Sequence, residues 1–81
     1  MQLEIISPDH SLYTGEIVSI RVPGSKGSFE ILKNHAPIIS TLEKGTIDIR
    51  EEGGKINSFQ IDGGVIEAKN NKIIVLAETT I

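Results

Sequence analysis

Between Glu16 and Val22, extended backbone would place Val18, Ile20 and Val22 on one face and Ser19 and Arg21 on the other. The same two-residue period recurs downstream. Ile47 and Ile49 alternate with Thr46, Asp48 and Arg50, and Phe59 and Ile61 share a face of 57–61. The run Lys72 to Ala77, KIIVLA, is apolar on both faces, which predicts a strand covered on both sides. Pro8-Asp9, Gly15, Pro23-Gly24, Gly27, Pro37, Gly45, Gly53-Gly54, Asp62-Gly63-Gly64 and Asn70-Asn71 cut the chain into short pieces. Gly53-Gly54 and Asn70-Asn71 suit two-residue hairpin turns, which need positive φ. Asp62-Gly63-Gly64 reads as a turn or bulge, and Pro37 belongs at a strand start or a sheet edge.

The pattern predicts strands at 2–7, 11–14, 16–22, 28–32, 38–42, 45–51, 55–61, 64–69 and 72–78. No segment predicts a helix. The longest piece free of glycine and proline, 65–81, is dominated by Ile, Val and Thr and broken by Asn70-Asn71. Many short strands at regular spacing give an all-β fold, a two-sheet antiparallel β-sandwich of about eight to ten strands. With 81 residues the chain is a single domain, 1–81.

Composition narrows the chemistry. A formal charge of −3 and the lack of a basic stripe argue against nucleic acid. The absence of cysteine removes disulfides and thiolate metal sites. No run has the length of a signal peptide core or a membrane span, so the expectation is a soluble or peripheral protein. The titratable candidates are His10, His35, Asp9, Asp48, Asp62 and scattered glutamates. There is no Gly-x-Ser-x-Gly elbow and no His-Glu-x-x-His, and two histidines are too few for an ordinary metal site. No cofactor and no catalytic residue are expected. Gly24-Ser25-Lys26-Gly27-Ser28 is glycine-rich, but its lysine precedes the second glycine and a strand follows, unlike a P-loop. It reads as a connection, or as a contact surface on a rigid sheet. Asn34-His35-Ala36-Pro37 reads as a turn whose histidine satisfies a backbone group, or as a contact loop at one end of the sandwich.

The run from Gly24 to Gly45, GSKGSFEILKNHAPIISTLEKG, resembles the signature of the F-type ATP synthase epsilon subunit family. That family usually reads G-x-x-G-x-x-x-x-x-P-G-H-A-P, then apolar residues and Leu-x-x-Gly. The likeness continues through Asp62-Gly63-Gly64-Val65-Ile66-Glu67 and Val75-Leu76-Ala77-Glu78-Thr79-Thr80-Ile81, and it includes the N-terminal LEIISPDHSLYTGEIVSIRVPG. It departs where Lys33-Asn34 replaces the family's Pro-Gly, although Asn tolerates positive φ. The matching residues cover the β-sandwich portion only, without the C-terminal helical hairpin.

The resemblance implies a non-catalytic rotor subunit of the central stalk. Its sandwich would join the gamma subunit to the membrane c-ring and help couple proton or sodium flow to ATP synthesis. It implies that Lys26, Gly27 and Ser28 face the c-ring, and that His35, Ser40 and Leu42 face gamma or lie near the ring. It also implies a peripheral location on the cytoplasmic face of a bacterial inner membrane. Inhibition of hydrolysis and ATP binding belong to the family's helical hairpin, which no residue here matches, so neither is carried over. From Arg21 to His35, three cations against Glu30 leave a local charge of +2, a basis for ring recognition. The alternative reading is a small acidic all-β carrier or ligand-binding module. Biotinyl and lipoyl carriers place Met-Lys-Met or Asp-Lys-Ala at a hairpin tip, whereas the tips here read Glu-Gly-Gly-Lys and Lys-Asn-Asn-Lys.

Overall fold

A computed structural model describes residues 1–79; Thr80 and Ile81, the end of the C-terminal motif, lie outside the described residues. Among the described residues nine strands form: β1 (Gln2–Ile6), β2 (Ser11–Glu16), β3 (Ser19–Val22), β4 (Phe29–Leu32), β5 (Ile38–Leu42), β6 (Gly45–Arg50), β7 (Ile56–Ile61), β8 (Gly63–Lys69) and β9 (Lys72–Glu78). They build a five-stranded sheet in the order β2-β1-β9-β8-β5 and a four-stranded sheet in the order β4-β3-β6-β7. Neighbouring strands are antiparallel except β1 and β9, which run parallel from Gln2↔Lys72 to Ile6↔Leu76.

The inward positions are almost entirely aliphatic. Leu3, Ile5, Ile66, Ile73 and Val75 of the larger sheet meet Ile20, Val22, Ile31, Ile47, Ile49 and Ile61 of the smaller one. Each buried side chain of this size stabilises the fold by about 1.5–3 kcal/mol. On one side the sheets are zipped by Tyr13 of β2 and Phe59 of β7, edge to face with centroids 6.0 Å apart. Beside them Asn57 Nδ2 donates to Glu51 Oε2 at 2.9 Å.

The boundary between β2 and β3 differs from the sequence pattern. The break falls at Ile17-Val18, not at Gly15. The Ile17 amide donates to Met1 O and the Val18 amide to Arg50 O, so consecutive residues belong to opposite sheets. Ile17 therefore takes the buried position, and Val18, expected inward beside Ile20, is exposed. Ser19 keeps the face of Arg21, as expected, but is buried there between its register partners Leu32 and Arg50.

The turns follow the residues that prefigured them. Asn70 and Asn71 have φ of 53° and 60° between the paired Lys69 and Lys72, as a two-residue hairpin connection requires, whereas the connection expected at Gly53-Gly54 spans 51–55, with the Glu51 amide donating to Lys55 O and the glycines at φ 89° and 90°. Asp62 precedes β8, and both following glycines belong to the strand. Gly64 is demanded by close approach, because a Cβ there would lie 2.3 Å from the Leu76 carbonyl oxygen. The Gly64→Ala substitution is expected to cost roughly 2–4 kcal/mol by urea denaturation, in line with severe steric defects.

Burial raises the Tyr13 pKa, and the Glu51 carboxylate, which also accepts its hydrogen bond, pushes it the same way. The fold thus holds the phenolic proton more tightly than the unfolded chain, whose value is about 10. The resulting stability is complete below that pH and is lost as pH rises through the higher folded value. Urea midpoints are expected to fall above about pH 10, and Tyr13→Phe should flatten that alkaline decline.

Candidate docking surface

The edge strand β5 organises the surface that the sequence singled out. Pro37 immediately precedes it, where the missing amide donor costs the sheet nothing. One edge of β5 pairs with β8, from Ile38↔Ala68 to Leu42↔Gly64. Its other edge is partly covered by the segment before the Lys26 loop. The Ser25 amide donates to Thr41 O at 3.1 Å, the Glu43 amide donates to Pro23 O at 2.8 Å, and Gly24 bridges Leu42. The Ser25 and Thr41 hydroxyls add a 2.7 Å hydrogen bond. Gly24 fits because a Cβ there would meet Gly27 O and the Phe29 ring below 3 Å. The Gly27 amide donates back to Gly24 O, and Gly27 takes φ 119°. The loop is therefore tied down at its base, and Lys26 stands exposed at its tip.

These ties bring some of the candidate residues together and separate others. Lys26, Gly27 and Ser40 line one shallow depression of about 440 Å³ beside Ile39. Ser28 lies apart from that lining and accepts a hydrogen bond from Arg21 at 3.3 Å. Ser40 is half-buried on the inward side of β5, and its hydroxyl donates to Thr41 O. Leu42 is 6% exposed and belongs to the core, so it holds β5 in place from within. His35 is exposed near the opposite end of β5, where its amide donates to Leu32 O at 3.2 Å. Its Nδ1 lies 2.6 Å from the Ala36 carbonyl. A carbonyl only accepts, so Nδ1 carries the proton, and Nε2 is the ring atom left for a partner. Asn34 takes φ 66°, so the left-handed turn is kept at the position that lacks glycine.

The sequence pattern did not disclose the outer face of the five-stranded sheet. KIIVLA was expected to be covered on both sides, but only Ile73, Val75 and Ala77 are buried. Leu76 is 52% exposed and pairs directly with Val65 and with Ile6, while Ile39, 70% exposed, is diagonal to Val65. With the half-buried Ile74 they make a diagonal apolar stripe that reaches the edge strand β5 and is flanked on the same face by Glu4 and Glu67.

The outer face of the smaller sheet contrasts with it. There Arg21 lies in register between Glu30 and Asp48, Ser58 donates to Asp48 at 2.6 Å and Gln60 donates to Thr46 at 2.7 Å. Its exposed apolar residues, Leu32 and Ile56, stand on opposite edge strands. Among the described residues no cluster of three or more His, Cys, Asp or Glu is placed to hold a metal ion. Among the same residues no helix is long and apolar enough to cross a membrane.

Comparison with known proteins gives a consistent result. The family model for the ATP synthase delta/epsilon chain β-sandwich domain matches residues 1–81. The chain is 44% identical over 78 residues to the ATP synthase epsilon chain of Leptospira borgpetersenii serovar Hardjo-bovis, covering 96% of this chain and 61% of that relative. It is 38% identical over 77 residues to the ATP synthase epsilon chain of Chlorobium limicola, covering 95% of this chain and 88% of that one. The chain thus spans less than two thirds of the Leptospira relative but most of the shorter Chlorobium one. In fold it is similar to a chain of the Euglena gracilis mitochondrial ATP synthase, solved as OSCP/F1/c-ring, with a TM-score of 0.90 at 18% identity, covering 98% of this chain and 51% of that one. A chain of the Tetrahymena thermophila mitochondrial ATP synthase, from a central stalk and c-ring structure, gives a TM-score of 0.81 at 14% identity, covering 95% of this chain and 62% of that one.

If the ties to β5 hold the Lys26 loop, Ser25→Ala should speed amide exchange at Ser25 and Gly27 while lowering global stability by about 1 kcal/mol or less. Hydrogen-exchange NMR checks the first and urea denaturation the second.

Proposed function

Since the chain belongs to the ATP synthase delta/epsilon β-sandwich family, we propose that it is a non-catalytic rotor subunit of the central stalk, joining the gamma subunit to the membrane c-ring. In this role it helps couple proton or sodium translocation to ATP synthesis, as a peripheral protein on the cytoplasmic face of a bacterial inner membrane. The observation that carries the reading is the contrast between the two outer faces. An uncovered aliphatic stripe on one sheet runs to the strand that carries Ser40, while the other sheet presents a hydrogen-bonded polar face. Contiguous exposed apolar surface marks interaction sites, and a sandwich with a tightly packed core transmits torque with little deformation.

In this reading the stripe and β5 lie against gamma, with His35 and Ser40 at the margin of the contact. Lys26, Gly27 and Ser28 meet the polar loops of the ring. Leu42 contributes through the strand it anchors. The local excess of positive charge at Lys26 and Lys33 adds electrostatic attraction, which salt screens.

Calorimetry of this chain with purified gamma from the same source is expected to give one-to-one binding, and Ile39→Asp should weaken it by ~10-fold or more, as burial of an unpaired charge in an interface requires. Reversing both lysines, Lys26→Glu with Lys33→Glu, should leave gamma binding intact. It should weaken association with detergent-solubilised c-ring and reduce the salt dependence of that association. Absence of gamma binding by the folded, unsubstituted chain would overturn the rotor reading.

A further inference from the structure

The histidine loop connects the smaller sheet to the larger one, since β4 belongs to the first and β5 to the second. Such a crossover has few backbone partners of its own. Here it is held by a residue 37 positions away. The Asn34 amide donates to Asn71 Oδ1 at 2.7 Å, and Asn71 Nδ2 donates to Asn34 Oδ1 at 3.1 Å.

Both residues are left-handed, with φ of 66° and 60°. That backbone state is one that asparagine tolerates. Asn71 is in turn fixed to the middle of the larger sheet. It sits at the tip of the β8–β9 hairpin, and its carbonyl accepts from the Gln2 amide at 2.9 Å. Beside the clasp a small depression of about 10 Å³ is lined by residues that include Ile31, His35, Ala68, Asn71 and Ile73. Both hydrogen bonds of the clasp are exposed to solvent, so its effect falls on the loop it fastens more than on global stability.

We propose that Asn71 is a positioning residue for the partner-binding loop: its reciprocal amide pair with Asn34 presets the conformation in which His35 is presented, so that a partner need not order the loop on binding. This inference rests on the rotor reading and adds to it the part of the fold that prepares the contact. A preset loop raises the fraction of molecules competent to bind and thus the apparent affinity. His35 is held in the same loop by its amide bond to Leu32 O and its ring contact with Ala36 O. Loss of the clasp would leave those local bonds as the loop's remaining restraints among the hydrogen bonds described.

The test uses glycine, which keeps positive φ at no steric cost while removing the side-chain amide. Asn71→Gly and Asn34→Gly are compared with the unsubstituted chain for binding to purified gamma by stopped flow, with hydrogen exchange at the His35 amide measured on the free protein. Each single variant is expected to exchange faster at His35 and to bind gamma ~3–10-fold more weakly, with the loss in association rate and dissociation unchanged. The double variant should be no weaker than either single one, because both remove the same pair. Asn71→Asp retains the acceptor for the Asn34 amide and should recover most of the affinity.

Unchanged affinity in both glycine variants would overturn the proposal. So would a loss carried wholly by faster dissociation, which would make the asparagines direct contacts. If the unsubstituted chain fails to bind gamma, the rotor reading falls and this inference with it. Binding that is intact in the unsubstituted chain and unaffected in the variants removes the inference alone.

Discussion

Everything in this molecule depends on the aliphatic contact between its two sheets. Neither sheet can bury its inward face alone, and the chain has one tyrosine, two phenylalanines and no tryptophan with which to fill space. The core is therefore built from branched aliphatic side chains that fit only when both layers are in register. To build it, the chain must pass between sheets from β2 to β3, from β4 to β5, from β5 to β6 and from β7 to β8. Each passage is short, and each is tied to strand backbone or to a neighbouring loop. The surface loops inherit their positions from those ties. The Lys26 loop is hydrogen-bonded to β5, and the histidine loop is fastened to the β8–β9 hairpin. Docking geometry is thus a by-product of closing the core.

The parallel pairing of β1 with β9 serves the same end. It places the first strand at the centre of the larger sheet and binds the two ends of the described chain into one layer. Tyr13 and Phe59 close the flank between β2 and β7. What remains open is asymmetric. One outer face is a polar ladder satisfied within itself, and the other is an aliphatic stripe with nothing over it. On the proposed reading that asymmetry gives the subunit a direction, with one face toward gamma and the other toward solvent.

The fold was largely legible in the sequence for identifiable reasons. Alternating β-branched residues announce strands, and Gly53-Gly54, Asn70-Asn71 and Pro37 mark where they stop or begin. The break at Ile17-Val18 was not legible, because alternation continues through it and only the change of sheet partner reveals it. The open face was misread for a related reason. Apolar residues on both sides of KIIVLA look the same whether the second cover comes from this chain or from another molecule. Ser40 and Leu42 were chosen by resemblance, yet both lie on the inward side of β5, whereas Ile39 and Thr41 are its exposed members. Local pattern cannot distinguish the two faces when isoleucines occupy consecutive positions. The clasp between Asn34 and Asn71 was beyond any local signal, since it is a contact between distant turns.

On the proposed reading, the aliphatic face of the larger sheet is the covered one in the assembled rotor. The chain contains no cysteine, so single cysteines can report on each face without background. The most direct measurement compares maleimide labelling of Ile39→Cys, Leu76→Cys and Ile56→Cys in the free chain and in complex with gamma and the c-ring. Strong protection of the first two on assembly and undiminished labelling of the third are the result expected of this arrangement. Equal labelling of all three in the complex, or protection confined to Ile56→Cys, would contradict it.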